Sequence, residues 1–490
     1  MKFIIDTNVL IPLEPAGMGD LEATTPLGAE FLRLSLSGGH GVFVHDAQTA
    51  DIDRDDNQER KNLRKVLIKK YPTLPASPPV TPGMEALLGV PGKGSNDWVD
   101  HQLLAALAAD ATDHVVTEDR KLIRKAARLG LGDRIATIAE AVDILRGLYE
   151  RTPEPPPAVR ALLAHELNED DPIFGSFCRD YPEFLDWLRR CKRDHRQSWV
   201  IEVPGVGGYA AVCIVKRESE TDFGLRGRLL KMCSFKVERE HSGFKFGELL
   251  LKAVFDYAFK NKFERIYIET FPKQEELIQL LSEFGFSDIG HENSRGEIRL
   301  VKECTCSKEE KDRCSPLEFN IKYGPYAVKG DGSPGFIVPI RPEYHRLLFP
   351  EAEAQLPLIH DRNPFGNALR KAYLCNSKSR RIESGSPLFF YRSHDVKGIT
   401  ALGVAESFVA SGLPAVVARF VGKRTVYNIL EIQKMCATET LALLFRQARF
   451  ANRPIKLKEL TGAGVMRGPP QSIVKVSEEG KAWLMQRLGV

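Results

Sequence analysis

Three consecutive prolines, Pro155 to Pro157, lie inside the run RTPEPPPA at 151–158, and neither a helix interior nor a sheet ladder tolerates such a run. It reads as a stiff extended linker, so the segments on its two sides fold apart. The 490 residues leave room for about three units on the usual scale of ~150 residues each. Net charge is +4, too small to demand a nucleic-acid partner by itself, so such a case must rest on local patches. The chain enters a strand directly and has no apolar run near ~18 residues. A cytoplasmic protein with no membrane partner is the expectation. Nine cysteines, none before Cys178, fit reduced thiols better than a disulfide framework.

Before the linker, acids collect where strands end. Lys2 to Ile5 is a buried apolar run that stops at Asp6-Thr7-Asn8, and His114 to Val116 stops at Thr117-Glu118-Asp119. Between them, NDWVDHQLLAAL predicts a helix from Asn96 with Asp97 and Asp100 on one face and Leu103, Leu104 and Leu107 inward. An N-cap or a solvated turn is the bland reading of Asp97 alone. Several carboxylates at the carboxyl edge of a parallel sheet repel one another unless a hard cation neutralises them, which suits Mg²⁺ or Mn²⁺. Arg54 to Lys70 reads as a charged helix, Pro72 to Pro91 as loop, Arg120 to Leu129 and Ile138 to Leu148 as helices, and Arg134 to Thr137 as a short strand.

MKFIIDTNVL, DHQLLAAL and VVTEDRKL resemble the PIN-domain nuclease family over roughly the first 147 residues. The resemblance implies a parallel α/β sheet and catalytic, metal-holding acids Asp6, Asp51, Asp100 and Asp119, with Asp97 as a fifth ligand. Asp51 stands where the family usually has glutamate. Thr7, Asn8 and Thr117 would position the acids or the scissile phosphate, and pairing of such domains implies a homodimer.

The second segment reads as helices at Ala161 to His165 and Pro182 to Lys192, then strands at Trp199 to Val203, Tyr209 to Lys216 and Leu229 to Val237. HSGFKFGELLLKAVFDYAFKNKF comes next at 241–263, a glycine loop opening a long helix, and such a loop offers free N–H groups and a positive dipole end to a phosphate. A strand at Arg265 to Glu269 and a helix at Glu275 to Phe284 lead to Gly285-Phe286. This order resembles the GNAT family of N-acetyltransferases, a mixed sheet with helices, over roughly 165–302. The resemblance implies acetyl-CoA as cofactor, held by Gly243, Phe244, Lys245, Phe246 and Gly247. Ser242 stands for the family's Gln or Arg, Lys245 for its first motif glycine, and Leu281 for the tyrosine that protonates the CoA thiolate. Glu240, His241 and Glu269 are candidate bases, with a solvated charge as the alternative for the first two.

Cys304, Cys306 and Cys314 lie in a charged connector, with His291 upstream; a zinc site would want a fourth close ligand. Beyond it, strands are expected at Phe336 to Ile340, Ala368 to Cys375, Pro387 to Arg392, Ile399 to Ser407 and Ala415 to Val421. SGSPLFFYRSHDVKGITALGVAE resembles PUA-like small β-barrels of the ASCH and EVE kind, many of which bind RNA; KSRRIE at 378–383 is the nearest echo of the ASCH signature. From Arg419 to Lys458 nine basic residues face two acidic ones, with Tyr427, Phe445 and Phe450 interleaved. Exposed aromatics there would stack on bases, whereas buried ones would be core.

These readings make a multidomain α/β and α+β chain. A PIN-like domain spans 1–149, a linker 150–160, a GNAT-like domain 161–302, a cysteine-containing connector 303–316 and a PUA-like domain 317–490. The expected function is a metal-dependent endoribonuclease fused to an acetyltransferase, acting on RNA (tRNA or mRNA) or the translation machinery, toxin-like and paired with an antitoxin-like protein. An acetyltransferase whose flanking domains only bind RNA, and a non-catalytic acetyl-CoA-sensing regulator, are the alternatives.

Overall fold

A computed structural model describes residues 1–13, 24–75, 77–149, 159–202, 207–238, 245–290, 292–350 and 368–490. They form two compact units, Met1–Arg151 with Ser411–Glu439, and Thr152–Ala410 with Thr440–Val490. No helix among the described residues is long and apolar enough to cross a membrane. The triple-proline run lies outside the described residues, and Val159 and Arg160, expected in the linker, already belong to a strand.

The first unit begins with β1 (Lys2–Ile5), α1 (Thr7–Leu13), α2 (Thr25–Ser37), β2 (Gly41–Phe43), α3 (Thr49–Asp53) and α4 (Gln58–Leu67). It continues through α5 (Pro82–Leu88), α6 (Asn96–Ala108), β3 (His114–Val116), α7 (Arg120–Arg128), β4 (Ile135–Ala136) and α8 (Ile138–Tyr149). The four strands form a wholly parallel sheet in the order β2-β1-β3-β4. Buried on both faces, its strands are short apolar runs such as Phe3, Ile4, Ile5, Val115 and Val116. Connections leave β1 and β3 toward opposite edges, so their carboxyl ends flank the switch point of the sheet. Helix α5 occupies part of the expected 72–91 loop: Thr81 caps it, its hydroxyl accepting from the Met84 N–H at 3.3 Å, and Pro82 pre-sets its first turn.

The second unit opens with β5 (Val159–Leu163), α9 (Gly175–Asp180), α10 (Phe184–Arg193), β6 (Gln197–Glu202), β7 (Tyr209–Glu220) and β8 (Arg226–Val237). Next come α11 (Phe246–Lys260), β9 (Arg265–Thr270), α12 (Glu275–Glu283), β10 (Ser287–Asp288) and β11 (Ile298–Glu303). Their sheet runs β10-β11-β9-β8-β7-β6-β5, antiparallel except for the β8–β9 pair. The helix expected at Ala161 to His165 is instead the edge strand β5. Its backbone pairs with β6 from Val159 opposite Ile201 to Leu163 opposite Gln197, and that ladder outweighs the helix preference of Ala and Leu.

The remainder comprises α13 (Lys308–Arg313), α14 (Pro316–Tyr323), β12 (Phe336–Ile340), α15 (Pro342–Leu348), β13 (Arg370–Cys375), β14 (Pro387–Arg392) and β15 (Gly398–Ser411). It ends with α16 (Pro414–Val421), α17 (Ile429–Met435), β16 (Thr440–Lys456), α18 (Leu457–Gly462), β17 (Val474–Lys475) and α19 (Glu478–Arg487). The strands of the expected small barrel form a six-stranded mixed sheet, β13-β16-β15-β14-β12-β17, in which β12 and β14 run parallel. Helices α16 and α17 leave this sheet and belong to the first unit. The strand expected at Ala415 to Val421 is α16: Pro414 sits in its first turn, and Val417, Ala418 and Val421 recur with helical spacing on its buried side. There Arg419 pairs with Asp110 at 3.2 Å and Arg424 pairs with Asp133 at 2.5 Å.

Strand β16 occupies much of the basic stretch. Phe445 is fully buried on it, as is Tyr427 before α17, so neither ring can stack on a base. Arg446 pairs with Glu406 at 3.0 Å, and Arg449 donates to the Tyr326 carbonyl at 2.9 Å.

Candidate functional site

Asp6 and Thr117 meet because β1 and β3 are in register, Ile5 opposite Val116. The Asp6 carboxylate is 6% exposed and accepts from the Thr117 hydroxyl at 2.6 Å, the Asn8 amide at 2.8 Å and the Thr7 N–H at 2.7 Å. Thr7 also donates its hydroxyl to Asp51 at 3.0 Å. Thr7, Asn8 and Thr117 thus each hydrogen-bond one or both of these two acids. Burial pushes the Asp6 carboxyl up to about 7; hydrogen bonds from Thr117 and Thr7 oppose this, and the charges of Asp100 and Asp51 add to it. Burial likewise raises Asp51 and Asp100, each further raised by Asp119. Asp119 caps α7, accepting from the Lys121 N–H at 2.7 Å.

The four acids are near enough to feel one another, yet each already has a protein partner. Arg54 pairs with Asp51. Lys125, from α7, puts its ammonium 2.6 Å from Asp97 and 2.7 Å from Asp100. That cation holds Asp97 below the usual carboxylate range, while burial disfavours the charged Lys125 and the two aspartates outweigh it. Among the described residues no three His, Cys, Asp or Glu side chains converge closely enough to hold a metal ion. The expected Mg²⁺ or Mn²⁺ set of Asp6, Asp51, Asp97, Asp100 and Asp119 is therefore not assembled as a metal centre. Nothing in the sequence separates Lys125 from its neighbours Lys121 and Arg124 as the residue that supplies this charge. Cys304, Cys306 and Cys314 are free thiols.

In the second unit the notable geometry lies between β8 and β9. Their ladder runs only from Leu229 opposite Arg265 to Met232 opposite Ile268. Opposite β7, Ser234 pairs with Ile214 and Met232 with Val215, so Cys233 is an extra, bulged residue where the β8–β9 pairing stops. A bulge bends its strand. Beyond it β8 continues to Val237 and β9 to Thr270 without pairing to each other, which opens a cleft in the sheet.

Ile266 and Ile268 face the core under α11, so Tyr267 and Glu269 face the other side of the sheet. Glu269 is the first β9 residue past the last pair. Its carboxylate accepts from Lys231 at 2.5 Å, Arg299 at 3.1 Å and Asn293 at 3.3 Å. Burial alone would raise its pKa, but these donors outweigh it and hold it low, so Glu269 is an anchored anion and a poor direct base. The same side carries Tyr181, which donates to Glu297 at 2.5 Å and stacks on Phe271. The sequence alone does not show that Lys231 and Arg299, on different strands, converge on Glu269.

Helix α11 begins just past the loop. Gly243 and Phe244 lie outside the described residues, as do Glu240, His241 and Ser242. Lys245 is the N-cap, with φ +58°. Two expected cofactor contacts have other duties: Phe246 is 2% exposed within the core, and a Cβ on Gly247 would come within 2.8 Å of Leu280 Cδ2 on α12. Only their backbone is left to face a ligand. Leu281, in the tyrosine position, is fully buried.

Residues 161–286 match the model of the acetyltransferase (GNAT) family. These residues are a GNAT acetyltransferase-like domain. Among solved structures, the chain is similar to the ASCH protein of Zymomonas mobilis, with 16% identity over 31% of this chain and 94% of that one, at a TM-score of 0.25. It is also similar to the IAA acetyltransferase of Bacillus cereus ATCC 14579, with 13% identity over 30% and 99% of the two chains and a TM-score of 0.23. No curated protein matches the chain.

Proposed function

We propose that this chain is an acetyl-CoA-dependent N-acetyltransferase. The parting of β8 from β9 at the Cys233 bulge, inside the segment that matches the family, carries this reading. The pantetheine arm would lie in the cleft, with the pyrophosphate at the start of α11 beside Lys245. An amine entering from the Glu269 side would lose its proton to solvent and attack the thioester carbonyl; the C–N bond would form, the C–S bond break, the second proton on nitrogen pass to solvent and the CoA thiolate leave. Glu269, held as an anion, would draw a cationic amine to the cleft rather than take its proton. With Leu281 in place of a phenol, the thiolate takes its proton from solvent.

The purified chain is expected to bind acetyl-CoA saturably, and Lys245→Ala to weaken binding about tenfold, the usual worth of one charged contact. Release of CoA thiol with a panel of amines, among them RNA-linked aminoacyl groups and basic peptides, tests turnover. Binding without release from any acceptor would favour the acetyl-CoA-sensing alternative.

The nuclease reading keeps one supporting observation, the mutual influence of Asp6, Asp51, Asp100 and Asp119. Their partners are protein groups, Arg54 for Asp51 and Lys125 for Asp100. RNA remains a proposed partner, as do an antitoxin-like protein and a second copy of the chain. Cleavage of mixed RNA with added Mg²⁺ or Mn²⁺ that disappears in Asp100→Asn would restore the ribonuclease.

A further inference from the structure

Glu248 is an odd residue to bury in the first turn of α11. It is 4% exposed, and its two oxygens face different ways. Oε2 accepts the Leu369 N–H at 2.7 Å, just before β13 of the C-terminal sheet. Oε1 lies 3.8 Å from the Lys245 ammonium. The side chain of Leu369 is itself part of the core around α11, packed with Phe246, Leu250 and Leu281. The helix end and the lysine that would receive a pyrophosphate are therefore already faced by a fixed protein carboxylate, and the C-terminal sheet holds that carboxylate in place.

We infer that Glu248 sets the affinity for the cofactor: it competes with the pyrophosphate for Lys245 and the positive end of α11, and its bond to Leu369 ties that competition to the C-terminal sheet. This rests on the acetyl-CoA reading above. A carboxylate at a helix N-terminus satisfies the dipole, so a second anion arriving there gains less. Like charges a few ångströms apart also repel strongly where water is scarce. By linkage, whatever displaces Leu369 from Glu248 changes cofactor affinity, and cofactor binding reciprocally loosens the Glu248–Leu369 contact.

Glu248→Gln separates the charge from the hydrogen bond, because the amide oxygen still accepts from Leu369. Acetyl-CoA is titrated calorimetrically into the full-length wild type, Glu248→Gln and Glu248→Ala, with the melting temperature of each recorded. The expected result is a Kd about tenfold lower for Glu248→Gln at an unchanged melting temperature, the scale of one removed like-charge contact. Glu248→Ala should melt earlier, having lost the bond to Leu369. A Glu248→Gln variant that binds acetyl-CoA no more tightly than wild type overturns the inference and leaves the cofactor reading standing. Failure of all three proteins to bind acetyl-CoA overturns both.

Discussion

Gly285→Ala is expected to destabilise the second unit by about 2–5 kcal/mol, from a left-handed backbone cost of ~1–2 and an overpacking cost of ~1–3. Gly285 has φ +82°, and a Cβ there would stand 2.1 Å from the carbonyl oxygen of Ile321 on α14, backbone that must move to make room. That oxygen also accepts from the Lys302 ammonium at 3.1 Å, a buried lysine whose other acceptor is the Lys322 carbonyl at 3.0 Å. Shifting α14 therefore disturbs the contacts of a buried lysine as well. Gly290→Ala is the control: its φ is +79°, but a Cβ there meets nothing within 4 Å, so it reports the backbone cost alone, about 1–2 kcal/mol. Urea unfolding of both variants, followed at peptides from α12 and α14 by hydrogen exchange, checks the difference. Equal losses would mean that α14 yields freely, and the close approach would then have no energetic consequence.

Gly285 also marks how far the sequence could be read. Its place before Phe286, after an amphipathic helix, was visible as a motif; that the glycine serves a contact with a segment 36 residues downstream was not, because nothing local encodes α14. Strands β1, β12 and β14 were legible to the residue, being largely apolar runs that end at polar or turn residues. Segment 414–421 misled because Val, Val, Phe and Val favour strands, yet Pro414 and the spacing of the buried residues favour the helix that forms. Asp6 and Asp119 follow strands, whose ends announce themselves in sequence, whereas Asp51 and Asp100 lie on helices and were named as metal ligands only by the family resemblance. Their partners are Lys125, on the strongly basic α7, and Arg54, the residue that ends α3; charged residues surround both in sequence, and only packing chooses among them. The cleft of the second unit depends on a one-residue bulge at Cys233, which alternation in a single strand cannot reveal.

The first unit should lose stability as pH rises from 4 to 8, and Asp6→Asn should remove much of that loss. The folded chain keeps the Asp6 carboxyl protonated up to about 7, against 3.8 for the unfolded chain. A folded pKa raised in this way contributes stability that is fully present below 3.8 and is lost as pH climbs through about 7. At ~1.4 kcal/mol for each pH unit separating the two values, the loss approaches about 4 kcal/mol for a fully buried group. Burial raises Asp51 and Asp100 too, so both act in the same direction. An asparagine cannot ionise, but its amide must share the site with the Asn8 amide, which now donates to Asp6 at 2.8 Å. The net gain for Asp6→Asn at pH 8 is therefore smaller, about 1–3 kcal/mol, with little difference at pH 4. Hydrogen exchange across a urea titration, followed at peptides containing β1 and β3, reads the first unit alone. If wild type and Asp6→Asn fall in parallel with pH, the protonated Asp6 is not what the fold prefers; if only the wild type falls, the fold holds Asp6 protonated below about pH 7.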